Sequence, residues 1–230
     1  MKSRLHSYIL FSLTALLLLG ATPPPEMVIG LMSKVILDVT RQEVGKEWQN
    51  AKRGETLHSG ERVRTGEKSI AIIKFKDNSM LRIREKSEVV LTGTQQGNSF
   101  SKSTELQRGV IGFNIKKQQT GEEFRFSSPT SIASIRGTTG QFDSQDSLDK
   151  LIVLEGLVAL TNIKSSEGAD VAGGFTGIST PDGKLQVRPS TPEEKLSAQL
   201  ASRIGDQDNK LEIDLNDGKG SKKQIEIKFK

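Results

Sequence analysis

Histidine and cysteine carry most nucleophilic and soft-metal chemistry, and this chain has 2 histidines and no cysteine in 230 residues. His6 falls in an apolar leader, so Ser/His/Asp or Cys/His catalysis would rest on His58 alone. His58 sits in "TLHSGE", a turn between strand candidates, where a solvated loop histidine is expected. Zinc needs clustered His or Cys and has neither here. Oxygen ligands are more plentiful: Asp143, Asp146 and Asp149 cluster in "DSQDSLDK", and Asp206 and Asp208 open "DQDNKL". The second stretch lacks the acid or amide, and then the glycine, that a calcium loop requires, and the first has no ligand spacing. A solvated acidic loop is the expectation. "RGTTG" has glycines without a helix pattern behind them, so the dipole half of a phosphate site is missing. Trp48 could be a sugar platform, but a single Trp beside Val44 and Ala51 reads better as a lid on the core. No catalytic residue, cofactor site or metal site is expected. The alternatives are a hydrolase with paired carboxylates acting on wall or surface polymers, and a structural envelope protein.

The composition bounds the partner. Hydrophobic residues make up 34% and charged residues 27%, which suits one domain with a real core. Aromatics are only 5%, so the core is expected to rest on Ile, Leu, Val and Ala. "MKSRLHSYILFSLTALLLLGATPPPE" reads as a secretory signal over 1–21, with Lys2 and Arg4 ahead of an apolar Tyr8–Leu19 and a small-residue exit at Ala21. A Pro-rich spacer follows over 22–27. Cleavage removes two bases and no acid, so a net charge of +5 falls to +3, too weak to argue for nucleic acid. The expected compartment is periplasmic or secreted, with membrane contact only if the leader stays in place.

The elements that would position these residues are short strands. From Met32 to Arg188 apolar alternation recurs between Gly, Ser, Asn and Asp, which predicts one all-β domain over 28–189, a sandwich or a β-solenoid. Gly54, Gly60 and Gly66 fit successive tight turns. The stretch 69–91 predicts a hairpin with Ala71, Ile73, Phe75, Leu81 and Ile83 inward. Lys74, Lys76, Arg82 and Arg84 then form a basic outer face, a candidate partner-binding surface, with Glu67, Glu85 and Glu88 as compensating acids. "STPEEKLSAQLASRIG" predicts a helix over 190–205 with a Thr191/Glu194 capping box and Leu196, Leu200 and Ile204 on one face. A linker and a β-hairpin complete 206–230.

Several stretches in fixed order resemble the FecR domain family. Trp48 followed by "AKRGETLHSGERVRTGEKSIAIIKFKDNSMLRI" is similar to its W-x-A-x-x-G-x-x-L-x-x-G-D-x-V-x-T-G-x-x-S-x-A-x-x-x-F-x-D-G-S pattern, including Gly60, Thr65, Gly66 and Asp77. "LQRGVIGFNI" resembles its L-x-x-G strand, and "FRFSSPTSIASIRGTTGQF" its T-P…V-R-G-T segment, with Pro129, Arg136, Gly137 and Thr138. "IVLEGLVAL" resembles its V-x-E-G-x-V strand, with Glu155 and Gly156. Glu61 stands for the family's Asp, Asn78 for its turn glycine, and Gly140 for an aromatic. The resemblance implies an extracytoplasmic all-β module that binds and relays. Its best-known members sense an outer-membrane transporter and control an alternative sigma factor. With no segment ahead of the apolar leader, this chain is expected to be the sensor-type domain exported alone, with an envelope protein or glycan as its partner. The motif residues are expected to be structural. Arg136 should bond nearby carbonyls or a carboxylate, with Ile132 and Ile135 as apolar anchors.

Overall fold

The computed structural model describes residues 27–97, 99–145 and 148–203, and the backbone of 210–216 and 222–228. The leader, residues 22–26 of the spacer, Asp146, Ile204, Gly205, the linker with Asp206 and Asp208, and the tip of the last hairpin lie outside the described residues. Among the described residues no helix is long and apolar enough to cross a membrane.

The chain opens with β1 (Val28–Ile36), β2 (Val39–Gln42), β3 (Gln49–Asn50), β4 (Thr56–His58), β5 (Arg62–Thr65) and β6 (Ile70–Phe75). Then come β7 (Met80–Ile83), β8 (Glu88–Gln96), the long β9 (Ser99–Ile115), β10 (Phe124–Ser127) and β11 (Ser131–Ile135). β12 (Thr138–Gln145), β13 (Leu148–Glu155), β14 (Leu157–Asn162), β15 (Gly168–Ala172), β16 (Phe175–Ser179) and β17 (Leu185–Pro189) complete the body. Helix α1 (Pro192–Arg203) follows, then β18 (Lys210–Asn216) and β19 (Lys222–Lys228).

These strands form two facing sheets. The first runs β4-β1-β6-β7-β9-β12-β13-β16-β17. The second runs β3-β2-β5-β8-β9-β10-β11-β14-β15, and only its β9–β10 pair is parallel. β9 belongs to both: residues up to Arg108 pair with β8, and Gly109 onward pair with β12. Period-2 alternation drives the layers together, because every second side chain of a strand points to the same face. Ala71, Ile73, Phe75, Leu81 and Ile83 all face inward and are buried, as the sequence predicts. The centre is more aromatic than composition suggests. Phe75, Phe124, Phe126, Phe113 and Phe142 join in a chain of ring contacts with centroids 4.9 to 6.2 Å apart.

The sandwich is threaded like a solenoid, the chain crossing from sheet to sheet at corners along two rims. At three turns a residue in the left-handed region precedes a fully buried serine: Lys68–Ser69, Asn78–Ser79 and Lys86–Ser87. Each serine hydroxyl accepts an N–H from another segment, Asp38 at 3.0 Å, Lys116 at 3.0 Å and Val110 at 2.9 Å respectively. Asn replaces the family's glycine at 78 because it tolerates this conformation best among residues with a side chain.

Helix α1 lies on the outer face of the first sheet. Its capping box forms, with Glu194 N–H donating to Thr191 Oγ1 at 3.2 Å and Thr191 N–H donating to Glu194 Oε2 at 3.0 Å. The docked face differs from the expected leucine stripe: Ala198, Ala201 and Ser202 are buried, while Leu196 and Leu200 flank them half-buried. Gly112 is the reason, since a Cβ there would stand 2.0 Å from the Ala201 carbonyl oxygen, so the helix backbone rides directly on the sheet. The C-terminal hairpin pairs Leu211 with Ile227 and Ile213 with Ile225, and among the described residues it pairs with no strand of the sandwich.

Two outcomes follow for the helix. Gly112→Ala should lift α1 off the sheet, at a cost of about 2 kcal/mol, read as a lower melting temperature and faster tryptic cleavage at Lys195. Glu194 accepts two Arg188 hydrogen bonds of 2.8 Å, which hold its carboxyl at about 2 against the opposing effect of burial, from an ordinary 4.5. The folded value is depressed, so this stabilisation is complete above pH 4.5 and fades as the pH falls towards 2. Proteolytic protection of α1 should follow that profile, and Glu194→Gln should flatten it.

Candidate functional site

The turn after β6 organises one rim. Asp77 Oδ1 accepts the Ser79 N–H at 3.0 Å, and Oδ2 accepts Gln118 Nε2 and Lys102 Nζ, each at 3.0 Å. Lys102 takes an inward position of β9 and its side chain is 4% exposed. Its ammonium also lies 5.3 and 5.7 Å from the Phe100 and Phe124 ring centroids. Burial opposes charge on Asp77, but the bonds from Gln118, Lys102 and Ser79 outweigh it and hold the carboxyl below its usual range. Through Gln118 and the Ser79–Lys116 bond, this cluster fastens loop 116–123 to the first sheet.

That loop walls a groove of about 620 Å³ on the outer face of the second sheet. Ala159 and Leu157 of β14 line it with Arg136, Asp170 of β15, and Glu122 and Glu123 of the loop. Glu123 is committed: it accepts two bonds from Arg125, at 3.0 and 2.8 Å, and one from Ser134 Oγ at 3.0 Å. Arg136 is not. It is exposed, and among the described residues its guanidinium has no hydrogen bond or ion pair. This corrects the expectation of a structural Arg136. The adjacent backbone, by contrast, is tightly built. Gly137 has φ 75°, Gly156 has φ 93°, and a Cβ on Gly156 would stand 2.5 Å from the Gly137 carbonyl oxygen. Thr138 Oγ1 donates to the Leu157 carbonyl at 3.0 Å. The two corners interlock and leave Arg136 projecting over the groove. Ile135 anchors in the core, but Ile132 points outward, and Ala133 fills the inward place. Pro129 is exposed in its bend, and Glu155 is exposed at the end of β13.

Other expected sites change character. Lys74 and Lys76 are exposed, but Arg82 is 1% exposed beneath α1, opposite Gly112, and Arg84 lines a smaller cleft beside the helix with Glu85, Asp143 and Ser197. Burial lowers the Arg84 pKa, with Glu85 opposing. The four cations therefore do not form one open face, because the helix covers its middle. Nor do all the nearby acids compensate them: Glu67 pairs with Lys86 at 2.8 Å, and Glu88 binds Arg62 and Arg64 outside the other sheet.

Trp48 is no core lid. It is half-buried on that outer face, with the Arg62 and Arg64 guanidinium carbons 5.3 and 4.2 Å from its ring centroid. His58 is not a free loop histidine either: its Nδ1 is 2.9 Å from Glu61 Oε1, which also accepts Arg41 Nη2 at 2.9 Å. Nor is Asp149 a solvated acid. It is buried between the sheets and accepts the Ser128 and Ser131 hydroxyls. Thr65 Oγ1 accepts the Ser87 N–H at 3.1 Å, a Cβ on Gly66 would strike Asp38, and Gly60 turns at φ 90°. Among the described residues no three His, Asp or Glu side chains are placed to hold a metal ion. Lys102, Gln118 and Glu123 escaped the sequence reading. Lys102 did leave a signal, a charge in the inward phase of the alternation with Thr104 and Leu106.

The family model described as "FecR protein" matches residues 61–159, from the turn before β5 to the middle of β14. This chain carries a FecR domain. The matched span contains Asp77, Lys102, the Arg136–Gly137 corner and Gly156, while Trp48 and Gly60 precede it. No curated protein matches the chain. Two crystal structures of a "putative anti-sigma factor" from Parabacteroides distasonis, at 2.50 and 1.65 Å resolution, are similar to it at 11% and 12% identity with TM-scores of 0.51 and 0.50. Each match covers 60% of this chain and 63% or 64% of the other, so this chain spans less than two thirds of those proteins' length. At that identity the likeness is one of fold.

Within the FecR domain, Asp77→Asn should strand the Lys102 charge inside the sandwich and cost about 3 kcal/mol. Thermal or urea unfolding measures it, and Lys102→Met in the same background should recover most of the loss.

Proposed function

We propose that this chain is a regulatory binding module of the cell envelope: an exported FecR domain that engages a protein or glycan partner through the Arg136 groove and does no chemistry on it. One observation carries this reading. The interlocked corners hold a guanidinium with no partner among the described residues over an open groove, beside apolar Leu157, which is 48% exposed. A cation whose donors the protein leaves unused has its full bonding capacity for another molecule. The FecR match and the fold shared with the anti-sigma-factor structures support a signalling role, and the apolar leader supports export. The anti-sigma-factor description belongs to those proteins.

Fusion to alkaline phosphatase, which is active only after export, tests the location. For the site, a photo-crosslinking residue at Leu157 should capture a partner in intact cells, and one at Lys195, on the helix that covers the other sheet, should not. Arg136→Ala should abolish that capture while leaving stability within about 0.5 kcal/mol of the parent. An unchanged adduct in the Arg136→Ala variant would overturn the reading.

A further inference from the structure

A sheet edge adjoins the groove and narrows the class of partner. Each sheet ends in two edge strands, and three of the four are blunted. β3 has 2 residues and β4 has 3. β17 ends in Pro189, carries an Arg188 tied to Glu194, and runs directly into α1. Short edges, prolines and fixed charges are the usual means of keeping an edge from pairing with a foreign strand. β15 has none of these except a single exposed charge, Asp170. Its sequence Gly168-Ala169-Asp170-Val171-Ala172 contains no proline and no basic residue, and its pairing with β14 is regular, without a bulge.

Among the described residues no strand pairs with the other side of β15, and Gly168, Asp170 and Ala172 are exposed. At the same end of the sandwich, Leu185 and Val187 of β17 are only partly buried against the core. A strand laid beside β15 would extend the second sheet and shield that apolar end.

We infer that the partner engages this edge with an extended polypeptide segment, added to the sheet as a further strand, with a basic residue facing Asp170. This rests on the binding role proposed above and specifies the partner. A row of backbone N–H and C=O groups is matched in register by another backbone, which a glycan lacks. Charge selects among polypeptides. Asp170 is the middle residue of β15, so two copies pairing about a two-fold axis there would set Asp170 against Asp170. Like charges directly opposite destabilise a strand pair, and opposite charges stabilise it. The edge thus disfavours a second copy of this chain in that register and favours a foreign strand with Lys or Arg at that place.

The test is crosslinking in cells that make the full chain, with the photoreactive residue at Ala172 and a parallel sample carrying it at Leu157. A polypeptide adduct is expected from position 172, and Asp170→Lys should reduce it roughly five-fold. Gly168→Pro and Ala169→Pro strike neighbouring N–H groups, of which strand alternation sends one to β14 and the other outward. The variant that keeps the parent melting temperature blocks only the free edge and should abolish the adduct. If neither keeps it, the Asp170→Lys result decides. An adduct with the mass of two copies, a carbohydrate adduct, or a polypeptide adduct indifferent to these changes overturns the inference. No adduct at 172 with capture intact at 157 overturns strand addition alone, and loss at both positions overturns the binding role as well.

Discussion

A chain that passes repeatedly between two sheets must bend sharply at every crossing and still pair the amides it exposes there, because buried unpaired backbone groups are costly. Neighbouring corners solve this for one another. Ser69 Oγ donates to the Glu67 carbonyl at 2.9 Å while accepting the Asp38 N–H, and Ser87 Oγ donates to the Glu85 carbonyl at 3.1 Å while accepting the Val110 N–H. The geometry repeats because the sequence does: both corners read Glu-Lys-Ser, with the lysine in the left-handed region. On the opposite rim glycine takes this role, Gly156 fitting against the Gly137 carbonyl. The groove borders that rim, so its shape depends on corners that do no binding themselves.

The buried charges serve the same end. Lys102 and Asp77, Arg41 and Glu61, and Asp149 with its serines each join segments distant in sequence. Desolvating such groups costs about as much as their attraction returns, so they are better understood as fixing how the layers register than as adding stability. The FecR domain thus divides its polar residues. Asp77, Thr65, Thr138 and Glu61 are turned inward to hold the frame, while Arg136 and Asp170 face solvent on an otherwise small-residue surface.

The two outer faces have different fates. On the first sheet Gly112 admits the helix, which packs over the strands that carry the buried Arg82 and Ile152. Along the second, Thr92, Ser103, Arg125, Ser134, Ala159 and Asp170 follow one another from strand to strand. Mostly small side chains leave a shallow floor there, which loop 116–123 closes on one side.

The sequence by itself determined the strands, their inward faces, the capping box at Thr191, the turn at Asn78 and the order of motifs that marks a FecR domain. These are local properties, set by alternation, by φ preference and by hydrogen bonds between near neighbours. It also left the Glu-Lys-Ser repeat and the inward lysine at 102 in plain view. Only the tertiary structure decided what lies beyond each strand. Alternation says that Arg82 and Arg125 both point outward, yet a helix buries the first and solvent meets the second. Nor could spacing show that Asp149 would meet Ser128 and Ser131, that five phenylalanines would meet in one core, or that Arg136 would meet no partner among the described residues. Those facts depend on contacts between residues far apart in the chain, and such contacts exist only once the two sheets have closed on each other.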